Sequence, residues 1–317
     1  MNTLHYSGEL DITPIYQACL NGKAINTQTS YRSGFNQWKV FAKDNMLTLF
    51  PVNEVEFTLF LIDWLERGGS WSSLNNSICA VKFYMDLFDF SFSLPKNAHI
   101  EQFLRKNSKK VNNKKRPLFK HEVDLIYEVH KSNVNLKVYR NLCILFFGFY
   151  GFMRYSDFTQ IRLVDVKLND RMISIILYDA KNDVFKQGQQ VMIKCDQNWI
   201  VTYKTYLKLA GFERLMFNDS IFLFPAIKND VLCAKTKMSY AEARKAILDL
   251  CKKSGIDTEK LGTHSLRIGG VTEASKRGVP DHIIDSHGRW VLNSRARSGY
   301  QRVDENDFAW LSDILMR

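Results

Sequence analysis

A short, strongly basic stretch divides this chain and limits how it can fold. The twelve residues 105–116, RKNSKKVNNKKR, contain seven basic side chains, no acidic ones and almost no apolar surface. A segment of this composition cannot bury a core, so it predicts a linker. The chain of 317 residues is therefore expected to divide into a first domain over 1–104, the linker over 105–116 and a second domain over 117–317.

The positive charge of the chain is concentrated in and after this linker. The 44 lysines and arginines exceed the 33 acidic residues by 11, and residues 1–104 contribute −3, the linker +7 and residues 117–317 the other +7. Such an excess favours a polyanionic partner, and its placement predicts either a strap along DNA phosphates or a solvated tether. The predicted DNA contacts are Lys109, Lys110, Lys114, Lys115 and Arg116.

The distribution of apolar residues and cysteines excludes several classes of protein. The longest apolar run, 142–153, is too short to span a bilayer, and the amino terminus lacks the regions of a signal peptide. The six cysteines lie far apart without a CxxC pair, which argues against a zinc ribbon and a disulfide scaffold. We expect an intracellular protein without membrane, metal or cofactor, located in the nucleus of a eukaryotic host and otherwise in the cytoplasm.

The first domain has a helical period throughout. Apolar side chains recur at about 3.6 residues after Asn26 and Thr27, which stand where a helix begins. Pro51 separates this helix from a second, and Ser70 is a candidate cap for a third. The pattern predicts a small all-helical domain whose aromatic side chains form its core rather than stack on bases.

The second domain is predicted to be mainly helical with a small antiparallel sheet. Residues 117–153 have the pattern of two helices, and the second is apolar on every face, which places it in the middle of a core. Residues 172–178 are short and β-branched, and 190–194 are expected to return as the partner strand of a hairpin. Helical patterns then resume over 197–210, 240–253, 265–277 and 280–286.

Arg154 is the first residue whose chemistry conflicts with its surroundings. It follows directly on the apolar helix, in the sequence GFMRYSD. A guanidinium at the edge of a buried segment needs an anionic partner, either a structural one or a ligand. Taken alone, the pattern favours an ion pair with Asp157.

A second polar cluster stands in the sequence THSLRIGG. His264 and Arg267 are three residues apart, so they share one helix face or its entry. Thr263 is a plausible N-cap, which would place the pair at a helix amino terminus that favours a phosphate. Histidine supplies a proton-transfer group and arginine a bidentate phosphate clamp.

The third cluster is SHGRWVLNSRARSGYQR, which contains His287, Arg289, Trp290 and Tyr300. The segment has no strong core period after Trp290. A lone tyrosine is usually structural, so Tyr300 gains meaning only from the residues that precede it.

The order of these residues resembles that of the tyrosine recombinase (phage integrase) family. Arg154 is followed by a hairpin lysine, then by His264 and Arg267, then by Trp290 and Tyr300. The motifs T-H-S-L-R-x-G-G and H-G-R-W are similar to those of recombinases from DIRS- and Crypton-type eukaryotic mobile elements or their viral relatives. The resemblance covers both domains and implies a helical, SAM-like core-binding domain, the basic linker and a catalytic domain with a C-terminal tail.

The resemblance implies a site-specific DNA recombinase that works without metal or ATP. Tyr300 would attack the scissile phosphate and form a 3′-phosphotyrosyl link that conserves the bond energy for religation. Arg154 and Arg267 would stabilise the charge that gathers on the non-bridging oxygens. The partner would be double-stranded DNA, bound by a homotetramer on two DNA sites.

The resemblance assigns three further roles, and two of them have alternatives. Lys181, at the predicted hairpin turn, would protonate the 5′-oxygen leaving group, with Lys186 of the same hairpin as the alternative. His264 would exchange the proton of the tyrosine or hold a phosphate oxygen. Trp290 would pack and donate its indole N–H to the phosphate. Since Tyr300 follows Trp290 by ten residues, slightly more than is usual in the family, His287 is the alternative for that role.

Other functions remain open from sequence alone. A type IB topoisomerase uses the same residue types as a monomer, and a domesticated DNA-binding protein would keep the fold without strand exchange. A metal-dependent nuclease lacks support, because no compact acidic motif is present. The tail bears Phe308, Leu311 and Leu315 at helical spacing, which suits docking into a neighbouring protomer or packing on its own domain.

Overall fold

The computed structural model divides the chain into two compact units, Met1–Asn112 and Asn113–Arg317. We call them the helical unit and the larger unit. The structure describes residues 13–92, 98–109, 114–178, 187–215, 218–229, 231–291 and 296–302. Within these ranges, none of the helices has both the length and the apolar character needed to cross a membrane.

In the part of the helical unit that the structure describes, the regular secondary structure is α-helix. The helices are α1 Thr13–Asn21, α2 Ile25–Asp44, α3 Glu54–Glu66, α4 Trp71–Leu87 and α5 Ala98–Asn107. The hydroxyl of Ser70 accepts a hydrogen bond from the N–H of Ser73, so Ser70 caps α4 as predicted. The predicted start of α2 is wrong, because the helix begins at Ile25 after Ala24, which makes no side-chain cap.

Aromatic side chains form the core of the helical unit, as predicted. Trp38, Phe57 and Phe60 are fully buried. The indole ring of Trp38 meets the rings of Phe57 and Phe60 edge-on, with centroids 5.5 and 5.9 Å apart. These rings are unavailable for stacking on bases because they face each other inside the unit.

The basic stretch 105–116 is anchored at both ends. Its first residues complete α5, where the guanidinium of Arg105 lies 4.7 Å from the ring of Trp71. Its last residue, Arg116, pairs with Glu122 and donates to the carbonyl of Asp257 at 2.6 Å within the larger unit. The boundary between the two units falls inside the stretch. Lys110 lies outside the described residues.

The larger unit combines helices with two small antiparallel sheets, so the predicted fold class is confirmed. Its helices are α6 Lys120–His130, α7 Leu136–Tyr150, α8 Tyr155–Phe158, α9 Gln197–Leu209, α10 Tyr240–Lys253, α11 Thr263–Lys276 and α12 Asp281–Gly288. Its strands are β1 Val166–Asn169, β2 Met172–Leu177, β3 Gln189–Lys194, β4 Pro225–Lys228 and β5 Val231–Lys237.

The predicted hairpin is confirmed as part of a three-stranded sheet. Strands β2 and β3 pair antiparallel, with Ile173 opposite Ile193 and Ile175 opposite Val191. These four side chains are buried, so one face of the sheet covers the core. The edge strand β1 and the separate β4–β5 pair were not predicted.

Helix α7 is the centre of the larger unit. Eleven consecutive residues, from Tyr139 to Phe149, are buried, as its all-round apolar sequence predicted. Its contact with α11 is close because a side chain has no room at the crossing. A Cβ atom at Gly270 would overlap the carbonyl oxygen of Phe149, and one at Gly148 would overlap the side chain of Leu266.

An ion pair between a buried arginine and a half-buried glutamate ties α7 to β4 and α10. Arg140 is fully buried, and its Nη1 donates to a carboxylate oxygen of Glu242 and to the carbonyl of Pro225, both at 2.8 Å. Glu242 also accepts from the N–H of Ile227 at 3.1 Å. The pair satisfies charges that would be costly to bury singly.

All six cysteines lie in the described residues and are free thiols. Cys143, Cys195 and Cys251 are buried, whereas the other three are exposed or half-buried. Burial raises the pKa of the Cys195 thiol to about 11 and that of Cys251 to about 12. These two side chains therefore remain protonated at neutral pH, as small apolar residues do.

Candidate active site

The turn that follows α7 organises the site. Phe152 has a φ of 47°, in the left-handed region, which directs its carbonyl oxygen towards two arginines from later in the chain. That carbonyl accepts hydrogen bonds from Nη1 of Arg267 and, at 3.1 Å, from Nη2 of Arg289. Arg154, two residues further on, is the N-cap of α8.

The predicted ion pair between Arg154 and Asp157 is present at 3.8 Å, but Arg289 approaches Asp157 more closely. Oδ2 of Asp157 accepts from Nη2 of Arg289 at 2.8 Å and from the backbone N–H of Arg154 at 2.9 Å. Nη1 of Arg154 is 3.8 Å away, beyond hydrogen-bonding distance. The side chain of Arg154 is 13% exposed, so its guanidinium retains access to the surface.

Arg267 lies in α11 and is fully buried. Its Nη2 donates to the carbonyl of Gly288 at 2.6 Å, and its guanidinium carbon lies 4.0 Å from the ring centroid of Trp290 and 5.0 Å from that of Tyr300. Burial, followed by the charges of Arg154 and Arg289, lowers the pKa of Arg267 to about 9. The guanidinium is still charged at neutral pH.

His264 reaches the same place from the start of α11. The helix begins at Thr263 and its N-cap is Gly262, so the predicted capping role of Thr263 is wrong. His264 is exposed, and its ring centroid is 6.1 Å from that of Tyr300. The prediction that His264 and Arg267 lie on one helix is confirmed, because both belong to α11. Both side chains also lie near the ring of Tyr300.

Trp290 and His287 occupy different positions. The ring of Trp290 packs against both Arg267 and Tyr300, and its centroid is 5.2 Å from that of the tyrosine ring. His287 faces the end of α7, where Nε2 contacts the carbonyl of Tyr150 at 2.7 Å. A carbonyl only accepts, so Nε2 carries the proton. Burial lowers the pKa of His287, which keeps the imidazole neutral. The geometry places Trp290, and not His287, beside the tyrosine.

Contacts with α11 and α12 hold the segment that contains Tyr300 in place. Tyr300 follows the short 3₁₀ turn Arg297–Gly299, and its carbonyl accepts from the hydroxyl of Thr272, in α11, at 3.2 Å. Arg297 pairs with Asp281 and Asp285 of α12 at 2.6 and 2.8 Å. The segment that carries Tyr300 is therefore fastened to the two helices that flank the site.

Some predicted residues lie outside the part of the chain that is described. Lys181 and Lys186 fall between β2 and β3, whose pairing ends at Leu177 and Gln189. The tail residues Phe308, Leu311 and Leu315 also lie outside it. Among the described residues, no group of three or more His, Cys, Asp or Glu side chains is placed to hold a metal ion.

Arg289 belongs to the site, although no role for it was predicted from the sequence. It stands beside Trp290 in H-G-R-W and makes at least four hydrogen bonds in the interior. A cation between two residues of a recognised cluster was a signal that it needed a partner. The partner itself was hidden, because Asp157 is 132 residues away in the chain.

Solved structures of tyrosine recombinases share this fold. The XerH site-specific recombinase bound to palindromic difH substrate, post-cleavage, matches with a TM-score of 0.64 and 18% identity over 97% of this chain and 85% of that chain. The Tn1549 transposon integrase in complex with transposon right end DNA matches with 0.60 and 14% over 97% and 100%. A lambda integrase dimer bound to a COC′ core site matches with 0.56 and 12% over 92% and 76%.

The fold and the cluster around Tyr300 define a recombinase of the tyrosine class. The chain belongs to the phage integrase family, whose model matches residues 116–306. It is therefore a site-specific recombination enzyme, as its sequence predicted. A search of curated proteins found no match.

Proposed function

We propose that the larger unit cleaves and rejoins DNA with Tyr300 as the nucleophile. The observation that carries this proposal is the packing of the Arg267 guanidinium against the rings of Trp290 and Tyr300, which places a phenol beside a buried cation. The phenolic oxygen attacks the scissile phosphorus, a 3′-phosphotyrosyl ester forms, and the bond to the 5′-oxygen breaks. Attack by a 5′-hydroxyl reverses these steps and releases Tyr300.

The arginines supply the positive charge that this reaction needs. Arg154 and Arg267 would donate to the non-bridging oxygens as negative charge accumulates on them. Preorganised cations of this kind perform the task that a divalent ion performs in other phosphoryl-transfer sites. The proposed mechanism accordingly uses neither metal nor ATP, and it needs no further cofactor.

Trp290 and His264 complete the proposed phosphate site. The indole nitrogen of Trp290 is buried and has no hydrogen-bond partner among the described residues, so it is available to a phosphate oxygen. His264 is exposed beside Tyr300 and would take the phenolic proton or hold an oxygen. Lys181 would return a proton to the 5′-oxygen, with Lys186 as the alternative.

The proposed substrate is double-stranded DNA, bound through both units. The helical unit would act as the core-binding domain and the larger unit as the catalytic domain, in a homotetramer on two DNA sites. Lys109 and Lys114 are exposed on either side of the unit boundary. Replacing Lys109, Lys110, Lys114 and Lys115 with alanine should flatten the salt dependence of DNA binding. An unchanged slope would mean that the stretch is only a tether.

Covalent capture tests the nucleophile. A nicked suicide DNA substrate in EDTA should yield a protein–DNA adduct on a denaturing gel with the wild type, and none with Tyr300→Phe. Tyr240→Phe is the matched control, because Tyr240 is half exposed at the start of α10 and should leave the adduct unchanged. An adduct that persists in Tyr300→Phe would refute the assignment. Cleavage that requires magnesium would favour a nuclease.

A further inference from the structure

Arg289 adopts a backbone conformation that its side chain does not favour. It follows α12 with a φ of 58° and a ψ of 44°, in the left-handed region. A residue with a Cβ atom is disfavoured there by steric contact with its own backbone, whereas glycine is not. Strain of this kind is stored where the surrounding structure and the function of the side chain offset it. The guanidinium of Arg289 is the candidate for that function.

The guanidinium of Arg289 joins three segments that build the site. Nη1 donates to the carbonyls of Gly151 and His287 at 3.2 and 3.1 Å, and Nη2 donates to Phe152 and to the carboxylate of Asp157. The side chain is only 3% exposed, so it is out of reach of DNA. It therefore acts through other residues and not on the substrate.

Asp157 stands between two arginines that compete for it. Its side chain is 1% exposed, and an unpaired carboxylate at such burial is strongly unfavourable. Arg289 occupies it at 2.8 Å, while Nη1 of Arg154 stays at 3.8 Å. Without Arg289, the nearest cation for this carboxylate is Arg154, only three residues away.

We propose that Arg289 is a positioning residue that keeps the Arg154 guanidinium available to the scissile phosphate. By saturating Asp157, it stops the carboxylate from capturing Arg154. Asp157 then accepts a hydrogen bond from the Arg154 N–H, which fixes the start of α8, while the Arg154 guanidinium stays 3.8 Å away. This inference rests on the proposed function, in which Arg154 binds the scissile phosphate.

Substitution at Arg289 and Asp157 tests the inference. Arg289→Gly removes the guanidinium and suits the left-handed backbone. Asp157 should then draw Arg154 away, and single-turnover cleavage of the suicide substrate should fall on the order of 10²-fold. DNA affinity should change by less than about threefold, because Arg289 is buried. Asp170→Gly is the matched control, since Asp170 is exposed and left-handed (φ 47°) at the far end of β2.

The double variant separates positioning from a structural role. In Arg289→Gly/Asp157→Asn the capturing charge is gone, so cleavage should recover at least about tenfold over Arg289→Gly. If Arg289 only holds the fold, the two losses add and the double variant is the worse enzyme, which overturns the inference. Arg289→Lys keeps a cation beside Asp157, so its cleavage rate should stay within about tenfold of the wild-type rate. This variant tests the inference if Arg289→Gly does not fold. A loss beyond that in folded Arg289→Lys overturns it too.

Failure of this inference differs from failure of the proposed function. If wild-type protein forms no covalent complex that depends on Tyr300, the proposed chemistry is wrong. If the wild type forms it and Arg289→Gly cleaves at the wild-type rate, only the role of Arg289 is wrong.

Discussion

Gly269 is a position at which one added methyl group should disturb the active site. A Cβ atom there would lie roughly 1 Å inside the 3.0 Å limit of real Cβ contacts, against the carbonyl oxygen of Leu118. That backbone cannot simply rotate away, because the N–H of Leu118 donates to the carbonyl of Ser265 at 3.0 Å. We therefore expect Gly269→Ala to displace α11 by about 1 Å from the segment before α6.

The displacement has two calculable consequences. Overpacking of this kind costs about 1–3 kcal/mol of the free energy of unfolding. His264 and Arg267 move with α11, and a misplacement of about 1 Å reduces rates on the order of 10²-fold. Gly269→Ala should therefore lose much more of its cleavage rate than its stability alone explains.

The assay combines urea unfolding with single-turnover cleavage of a nicked suicide substrate. Gly262→Ala is the control, because the added methyl would meet only ordinary contacts with Lys115, at 3.5 Å and beyond. It should lose less than about 1 kcal/mol, through its position as N-cap, and keep its activity. The reasoning is refuted if Gly269→Ala stays within about 0.5 kcal/mol of the wild type and cleaves at the wild-type rate.

Further predictions concern stability. Glu242→Ala leaves Arg140 buried and unpaired and should cost about 3 kcal/mol in urea unfolding; a loss below about 1 kcal/mol would contradict this. Burial lowers the pKa of His287 from its ordinary value of 6.5, so the unfolded chain binds a proton there more readily than the native chain does. The free energy of unfolding should therefore decrease as the pH is lowered towards and below 6.5. His287→Gln should lessen the fall between about pH 7.5 and about pH 5.5, and equal falls would exclude His287 as its source. Ser70→Ala should lower the free energy of unfolding of the helical unit by about 1 kcal/mol. An unchanged unfolding curve, followed by circular dichroism, would refute the role of Ser70 as a cap.

The sequence predicted those parts of the fold that local patterns determine. Helices with a clear apolar period, such as α10 Tyr240–Lys253, agree with prediction at both ends. The β2–β3 hairpin was predicted because residues 172–178 are short and β-branched and precede a polar turn; the structure adds that both strands bury alternate residues. Strand β5 was missed because it buries no residue fully, so it lacks the alternation that identifies a strand.

Capping and ion pairing were less predictable because they depend on exact backbone geometry and on distant partners. Thr263 has a side chain that could cap the helix, yet Gly262 is the N-cap. The N–H of Gly262 donates a hydrogen bond to the hydroxyl oxygen of Ser265 at 3.1 Å. Asp157 is the nearest acid to Arg154 in sequence, but Arg289 reaches it in space. Short-range sequence spacing cannot reveal such a competitor.

The site itself was predictable as a set of residues but not as an arrangement. The order of Arg154, His264, Arg267, Trp290 and Tyr300 predicted the family, which is confirmed. The burial of Arg267 beneath two aromatic rings was not predictable, because it depends on how α11 and the segment before Tyr300 pack. The choice between Trp290 and His287 likewise required the geometry.

Mapping the covalent adduct tests the central proposal most directly. The complex formed on the suicide substrate would be digested with nuclease and protease, and the modified peptide identified by mass spectrometry. The proposed chemistry predicts a nucleotide 3′-phosphate esterified to Tyr300, with a free 5′-hydroxyl on the released strand. An adduct on any other residue, or cleaved DNA that carries no protein, would contradict it.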